Sequence, residues 1–248
     1  MSDYQKIIDL HNEIEVVDYD KIKRAAQETA PPTERYFDAT HPVVPLSYDS
    51  VEEQGVGIRC LLRDRYSVRT YSEKKMSLKE LSNILHYSGG IKAYRSNAYN
   101  IDRFPVNYSP SAGGLMSMNL YVVVSEVEGL DAGVYYYAPQ EDALVQLFKG
   151  RPEVELADVY VTGFPQYAPV NVIMTGDIRR FFWKYDYRGY RLMNVDCGIM
   201  AENLTLTALE QGIGSCMLAA FSSEAVSRVL QLEPEELPLL CLSFGGMA

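Results

Sequence analysis

Residues 177–191 read Asp177-Ile178-Arg179-Arg180-Phe181-Phe182-Trp183-Lys184-Tyr185-Asp186-Tyr187-Arg188-Gly189-Tyr190-Arg191, and in a chain of 248 residues with net charge −10 they gather five cations among six aromatics. Solvent exposure alone does not require that density. A helix continued to Gly189 sets Arg180, Lys184 and Arg188 at i, i+4 and i+8, a single cationic face, with Phe181, Trp183 and Tyr185 elsewhere. An amphipathic surface helix with aromatic feet in a core accounts for such a stretch. The adjacent Lys184 and Tyr185 also make it a candidate for proton transfer, since burial shifts the pKa of both groups.

Around this stretch, the length suits one α/β or α+β domain with a single core. The acidic balance removes nucleic acid as a partner, because phosphate contacts need a basic stripe and the other basic residues are dispersed. No apolar run is long enough to cross a bilayer and the N-terminus has no signal-peptide pattern, so a cytoplasmic protein without a membrane partner is expected. Cys60, Cys197, Cys216 and Cys241 lie far apart in apolar sequence and read as reduced, buried thiols. With His11, His41 and His86 equally scattered, no metal site is expected.

Short helical patterns cover residues 4–14 and 19–26, and Pro31, Pro32, Pro42 and Pro45 then mark an extended arm to Gly57 that lies over the main body or a partner. A helix over 58–65 leads into Arg65-Tyr66-Ser67-Val68-Arg69, where two guanidinium groups flank a hydroxyl at alternate extended positions, an arrangement that grips an anion. Ser77 and Glu80 form a capping box for a helix to about Tyr87, stopped at Gly89-Gly90. A loop rich in Tyr, Asn and Arg follows. In Pro110-Ser111-Ala112-Gly113-Gly114-Leu115 small residues let backbone amides approach a flat or phosphorylated ligand.

Residues 119–127 and 133–138 read as successive strands, 144–148 as a third, 153–163 as a helix and 170–175 as a buried strand. A long helix over 192–211, apolar on most sides apart from Asp196, Glu202 and Asn203, belongs at a domain centre or between subunits. Residues 215–221 give a strand and turn, 223–230 a helix and 239–244 a last strand. Rossmann, Walker and Gly-x-Ser-x-Gly motifs are absent.

Together these segments resemble the FMN-dependent nitroreductase superfamily over residues 58–246, and within it the SagB-type azoline dehydrogenases. Arg65-x-Ser67-x-Arg69 is similar to the first FMN segment, which holds the phosphate and the polar flavin edge. Pro110, Ser111, Ala112, Gly113 and Gly114 are similar to the branch's Pro-Ser-Ala-Gly-Gly-Leu. Met217, Leu218, Ala219 and Ala220 stand where the family offers amides to the flavin. Lys184-Tyr185 with Arg188-Gly189-Tyr190-Arg191 resembles the elements typical of azoline oxidases. The family commonly continues Gly-Gly-Leu with Tyr-Pro, where this chain has Met116-Ser117, and the C-terminal basic residues of many nitroreductases have no counterpart, so Arg65 and Arg69 should carry more of the phosphate's charge.

The resemblance implies an α+β nitroreductase-like fold, a central, mostly antiparallel sheet flanked by helices, in a homodimer with FMN at the interface. Residues 1–57 would be an N-terminal helical segment and arm, and 58–248 the FMN-binding domain. It implies oxidation of peptide thiazolines or oxazolines to azoles, with hydride passing to flavin N5 and Lys184 or Tyr185 taking the proton. The substrate would be an azoline-containing peptide or carrier-bound intermediate, and a cyclodehydratase or carrier protein a partner. Two rivals remain: an NAD(P)H-dependent nitro or quinone reductase on the same fold, and a non-catalytic scaffold subunit of a peptide-modifying complex.

Overall fold

The computed structural model describes residues 5–50, 55–96, 101–150 and 158–247. Its seven helices are α1 (Gln5–Ile14), α2 (Tyr19–Ala25), α3 (Ile58–Asp64), α4 (Leu78–Gly89), α5 (Ile178–Tyr185), α6 (Arg188–Glu210) and α7 (Ser223–Leu230) among the described residues. The strands are β1 (Val43–Pro45), β2 (Met76–Ser77), β3 (Ile91–Arg95), β4 (Phe104–Asn107), β5 (Met118–Val124), β6 (Val127–Glu128), β7 (Gly133–Ala138), β8 (Ala143–Lys149), β9 (Val170–Asp177), β10 (Ile213–Leu218) and β11 (Glu236–Gly246).

Alternation along the strands builds two cores from one sheet. In β5, Leu120, Val122 and Val124 face one way with Val172 and Met174 of β9, onto Ile84 and Leu85 of α4 and Ala201 and Leu204 of α6. Tyr121, Val123 and Ile173 face the other way, onto Val226 and Val229 of α7. The seven strands run β1-β8-β7-β5-β9-β11-β10, with every neighbouring pair antiparallel. This is the expected α+β fold, a helix-flanked antiparallel sheet.

The structure amends several expectations. The arm supplies β1, which pairs with β8 and forms one edge of the sheet. The Tyr- and Arg-rich loop is partly a hairpin, β3 against β4; its short strands, split by undescribed residues 97–100, lack a long period-2 signal. Of the helix expected over 153–163, residues 153–157 lie outside the described residues, and 158–163 are turn, bridge and bend. Cys197, Cys216 and Cys241 are buried, but Cys60, on the outer side of α3, is exposed. Among the described residues no helix is long and apolar enough to cross a membrane.

Candidate active site

The opening stretch does not form a single helix. Asp186, with φ 55° and ψ −143°, ends α5, and α6 starts two residues later at Arg188. The cationic face therefore splits. Arg180 turns inward, 3% exposed, and donates to the Met116 carbonyl at 2.6 Å and to Asn119 Oδ1 at 3.2 Å. Arg179 makes a two-point pair with Asp177 at 2.8 Å on each arm. Arg188 donates to the Glu15 carbonyl at 3.0 Å, and Arg191 also pairs with the Glu15 carboxylate. Most of the positive charge in this stretch thus fastens α1 and the interior instead of lining one open face.

Lys184 and Tyr185 stay half-buried at the C-terminal end of α5, with the Lys184 ammonium 5.0 Å from the Tyr185 ring centroid. Gly189 lets the two helices meet, since a Cβ there would lie 2.8 Å from Phe181 Cβ. Tyr185 and Ala112 both pack against the cluster of Phe104, Leu115, Phe181 and Met193. The α5 tip and the Pro110–Leu115 loop are thereby neighbours.

That loop is shaped by left-handed backbone at Gly113 (φ 64°), Gly114 (φ 70°) and Met116 (φ 49°). Its amides turn inward: Gly114 N–H donates to the Ser111 carbonyl at 2.9 Å and Leu115 N–H to Ala112 at 3.4 Å. Met116 N–H donates to Ser111 Oγ at 3.0 Å. So Pro110, Ser111, Ala112 and Gly113 offer a low, small-residue face instead of a row of free amides. Asp196, on the inner side of α6, accepts the Ala112 N–H with both oxygens at 3.1 and 3.0 Å. Burial raises its carboxyl above the ordinary value, while Ser111 and the Ala112 amide oppose the shift. Neither Asp196 nor Arg180 was singled out for this role; a carboxylate inside an apolar helix was the available signal for the first.

Arg65, Ser67 and Arg69 lie elsewhere, exposed along an extended segment whose Ser67 bridges to Ser215 at the edge strand β10. Val68 N–H donates to the Ser215 carbonyl at 2.9 Å. Among the described residues neither arginine has a carboxylate partner, in contrast to Arg63, paired with Asp64 at 2.7 Å. A small cleft beside Arg65 is lined by Thr205, Leu209, Gly214 and Ser215, and the buried Thr205 hydroxyl has no hydrogen-bond partner among the described residues. Two guanidiniums without a carboxylate partner among the described residues, Arg69 donating only to the Ser67 carbonyl at 3.4 Å, fit with the adjacent hydroxyls the oxygens of a phosphate monoester, so these residues suit the flavin mononucleotide that the sequence suggests. Met217 is 38% exposed at the end of β10, with Leu218 buried and Ala219 and Ala220 exposed beyond it.

The predicted segments therefore form two groups along α6. Asp196 holds the loop beside Lys184 and Tyr185, while Thr205 and Leu209 border the arginine segment about 14 to 20 Å further along the helix axis. Between them the outer face of α6 presents Val195, 51% exposed, and Ile199, 38% exposed, with open space beside Gly198 and the half-buried Glu202 on the same side.

A helix-flanked antiparallel sheet of this order is a nitroreductase-like fold. The nitroreductase family model matches residues 62–246, and the chain belongs to that family. A Methanocaldococcus jannaschii protein with a provisional nitroreductase name is 30% identical over 201 residues, 81% of this chain and 95% of that protein. A Ralstonia eutropha protein, also provisionally named a nitroreductase, superposes with TM-score 0.67 at 21% identity over 90% of this chain and 94% of its own. The Escherichia coli microcin B17-processing protein McbC is 25% identical over 183 residues, 70% of this chain and 63% of McbC. The E. coli microcin synthetase McbBCD complex, solved with truncated pro-MccB17 bound, matches with TM-score 0.59 at 18% identity over 95% of this chain and 97% of the matched chain.

Proposed function

We propose that this nitroreductase-family oxidoreductase is a SagB-type dehydrogenase that oxidises peptide azolines to azoles with FMN. The observation that carries the reading is the shared packing of the Lys184-Tyr185 helix and the Pro-Ser-Ala-Gly-Gly loop on one apolar cluster, supported by similarity to a peptide-processing protein. FMN would supply a two-electron acceptor for aromatisation.

The chain's own residues divide the remaining work. Arg65, Ser67 and Arg69 would hold the FMN phosphate, and residues 110–114 and 217–220 would bind its ring system. Lys184 or Tyr185 takes the ring-carbon proton of the substrate. A homodimer completes the site: two α6 helices paired through Val195, Gly198 and Ile199 bring one copy's arginine segment towards the other copy's loop and Lys184. The substrate is an azoline-bearing peptide or carrier-bound intermediate, delivered by a cyclodehydratase or carrier partner in the cytoplasm. Residues 1–57 form the accessory arm on the 58–248 flavin domain.

The test is incubation of the purified protein with an azoline peptide under air, followed by mass spectrometry for a loss of two hydrogens per ring. A second reading, an NAD(P)H-dependent nitro or quinone reductase, is favoured by the names of most relatives. Rapid bleaching of the bound flavin by NADPH, with no change in the azoline peptide, would select it.

A further inference from the structure

We propose that Arg180 and Asp196 are positioning residues, two buried charges of opposite sign that lock the Ser111–Met116 loop into one shape and couple it to the helix bearing Lys184. The part concerning flavin rests on the function proposed above; the lock itself does not.

The loop needs such a device. Met116 has left-handed backbone, φ 49°, which a residue with a side chain seldom adopts unless its surroundings impose it. Arg180 grips the Met116 carbonyl at 2.6 Å from one side of the loop. Asp196 grips the Ala112 amide with both oxygens from the other, on α6. Ser111 joins the two ends, taking the Met116 N–H on its hydroxyl at 3.0 Å and bonding to Asp196.

Both charges depend on the loop in return. Asp196 is 4% and Arg180 3% exposed, and a buried charge without compensation is costly. Among the described residues Asp196 has no cationic partner, so the loop's amide and hydroxyl supply most of its compensation. Arg180 lies 3.7 Å from Asp177, whose carboxylate is already engaged by Arg179; the Met116 carbonyl is its shortest contact. Asp196 is therefore compensated by the loop in this conformation, and Arg180 takes its shortest hydrogen bond from the loop, with Asn119 and Asp177 as its other partners. Because Arg180 precedes Lys184 by one helical turn, a displaced loop also displaces α5.

The experiment uses full-length wild type, Asp196→Asn, Arg180→Lys and the milder Ser111→Ala, which removes one hydroxyl from a half-buried position. Amide hydrogen exchange on the flavin-free proteins reads the lock directly. Asp196→Asn or Ser111→Ala should accelerate exchange at both Ala112 and Met116 while leaving Val122 and Val124 protected. Acceleration at Ala112 alone, or no acceleration, overturns the proposal. FMN titration then tests the consequence: each variant should bind roughly tenfold more weakly, with a shifted visible flavin spectrum. Unchanged affinity and spectrum in variants with an accelerated loop overturn the positioning role. A wild-type protein that binds no FMN removes the functional reading instead, and the exchange data still judge the lock.

Discussion

Removing the Arg65 guanidinium gives the sharpest test of the cofactor assignment. The residue closes α3 with extended backbone, φ −64° and ψ 126°, and its main-chain N–H already bonds the Leu61 carbonyl at 2.9 Å. Arg65→Ala thus leaves the backbone arrangement in place and deletes only the charged fork. A charge-assisted hydrogen bond contributes about 1.5 to 3 kcal/mol. Because Arg65 is exposed, water screens it and the lower end applies, roughly a tenfold rise in the Kd for FMN.

Quenching of FMN fluorescence on titration into flavin-free protein measures that change. Arg63→Ala is the matched control: it lies two positions earlier, is equally cationic, and is held by Asp64 at 2.7 and 2.8 Å, so its loss should leave affinity unchanged. Salt supplies an independent check, since the Debye length falls from about 10 Å at 0.1 M to about 3 Å at 1 M. Wild-type affinity should weaken with salt towards that of Arg65→Ala, whose own dependence should be shallower. Equal Kd values for wild type and Arg65→Ala, or equal losses in Arg65→Ala and Arg63→Ala, would refute the assignment of this segment to the phosphate.

Three further outcomes are expected. Lys184→Ala and Tyr185→Phe should retain yellow flavin but lose azoline oxidation, at least one of them by about a hundredfold or more in kcat; wild-type rates in both would remove the proton-transfer role. Gly189→Ala forces a Cβ to within 2.8 Å of Phe181 Cβ and 3.0 Å of its carbonyl carbon, an overpacking that costs about 1 to 3 kcal/mol, and thermal unfolding should show a lower Tm. Burial, reinforced by Glu141, raises the Glu34 carboxyl from 4.5 to about 7. The folded protein thus holds this proton more tightly than the unfolded chain, so the contribution to stability is full below pH 4.5 and is lost as pH rises towards 7. Glu34→Gln should gain Tm relative to wild type across that window; parallel Tm curves would contradict it.

Much of the fold could be read because its signals are local. The capping box at Ser77 and Glu80 forms as expected, Glu80 N–H donating to Ser77 Oγ at 3.2 Å and Ser77 N–H to Glu80 at 2.8 Å. The unbroken apolar run over 120–124 marks a strand buried on both faces, with Leu120 and Val122 in one core and Tyr121 and Val123 in the other. The three-residue strand β1 could not be read, because its pairing with β8 depends on sequence a hundred residues away.

The site was legible as a set of segments but not as a geometry, and α6 shows why. Helical periodicity marks Asp196 as a polar exception in an apolar helix, but cannot say that it faces inward, because Met193, Cys197 and Met200 share its buried side while Val195 and Ile199 do not. Charge density in 177–191 suggested one cationic face, yet a single left-handed residue, Asp186, rotates everything after it and sends Arg188 to Glu15. The backbone break sends Arg188 and Arg191 to Glu15 and leaves Lys184 beside Tyr185 at the end of α5. A motif such as Lys-Tyr followed by Arg-Gly-Tyr-Arg therefore combines two physical tasks: Gly189 and its flanking arginines set the angle between α5 and α6, and that angle determines where Lys184 and Tyr185 meet the loop.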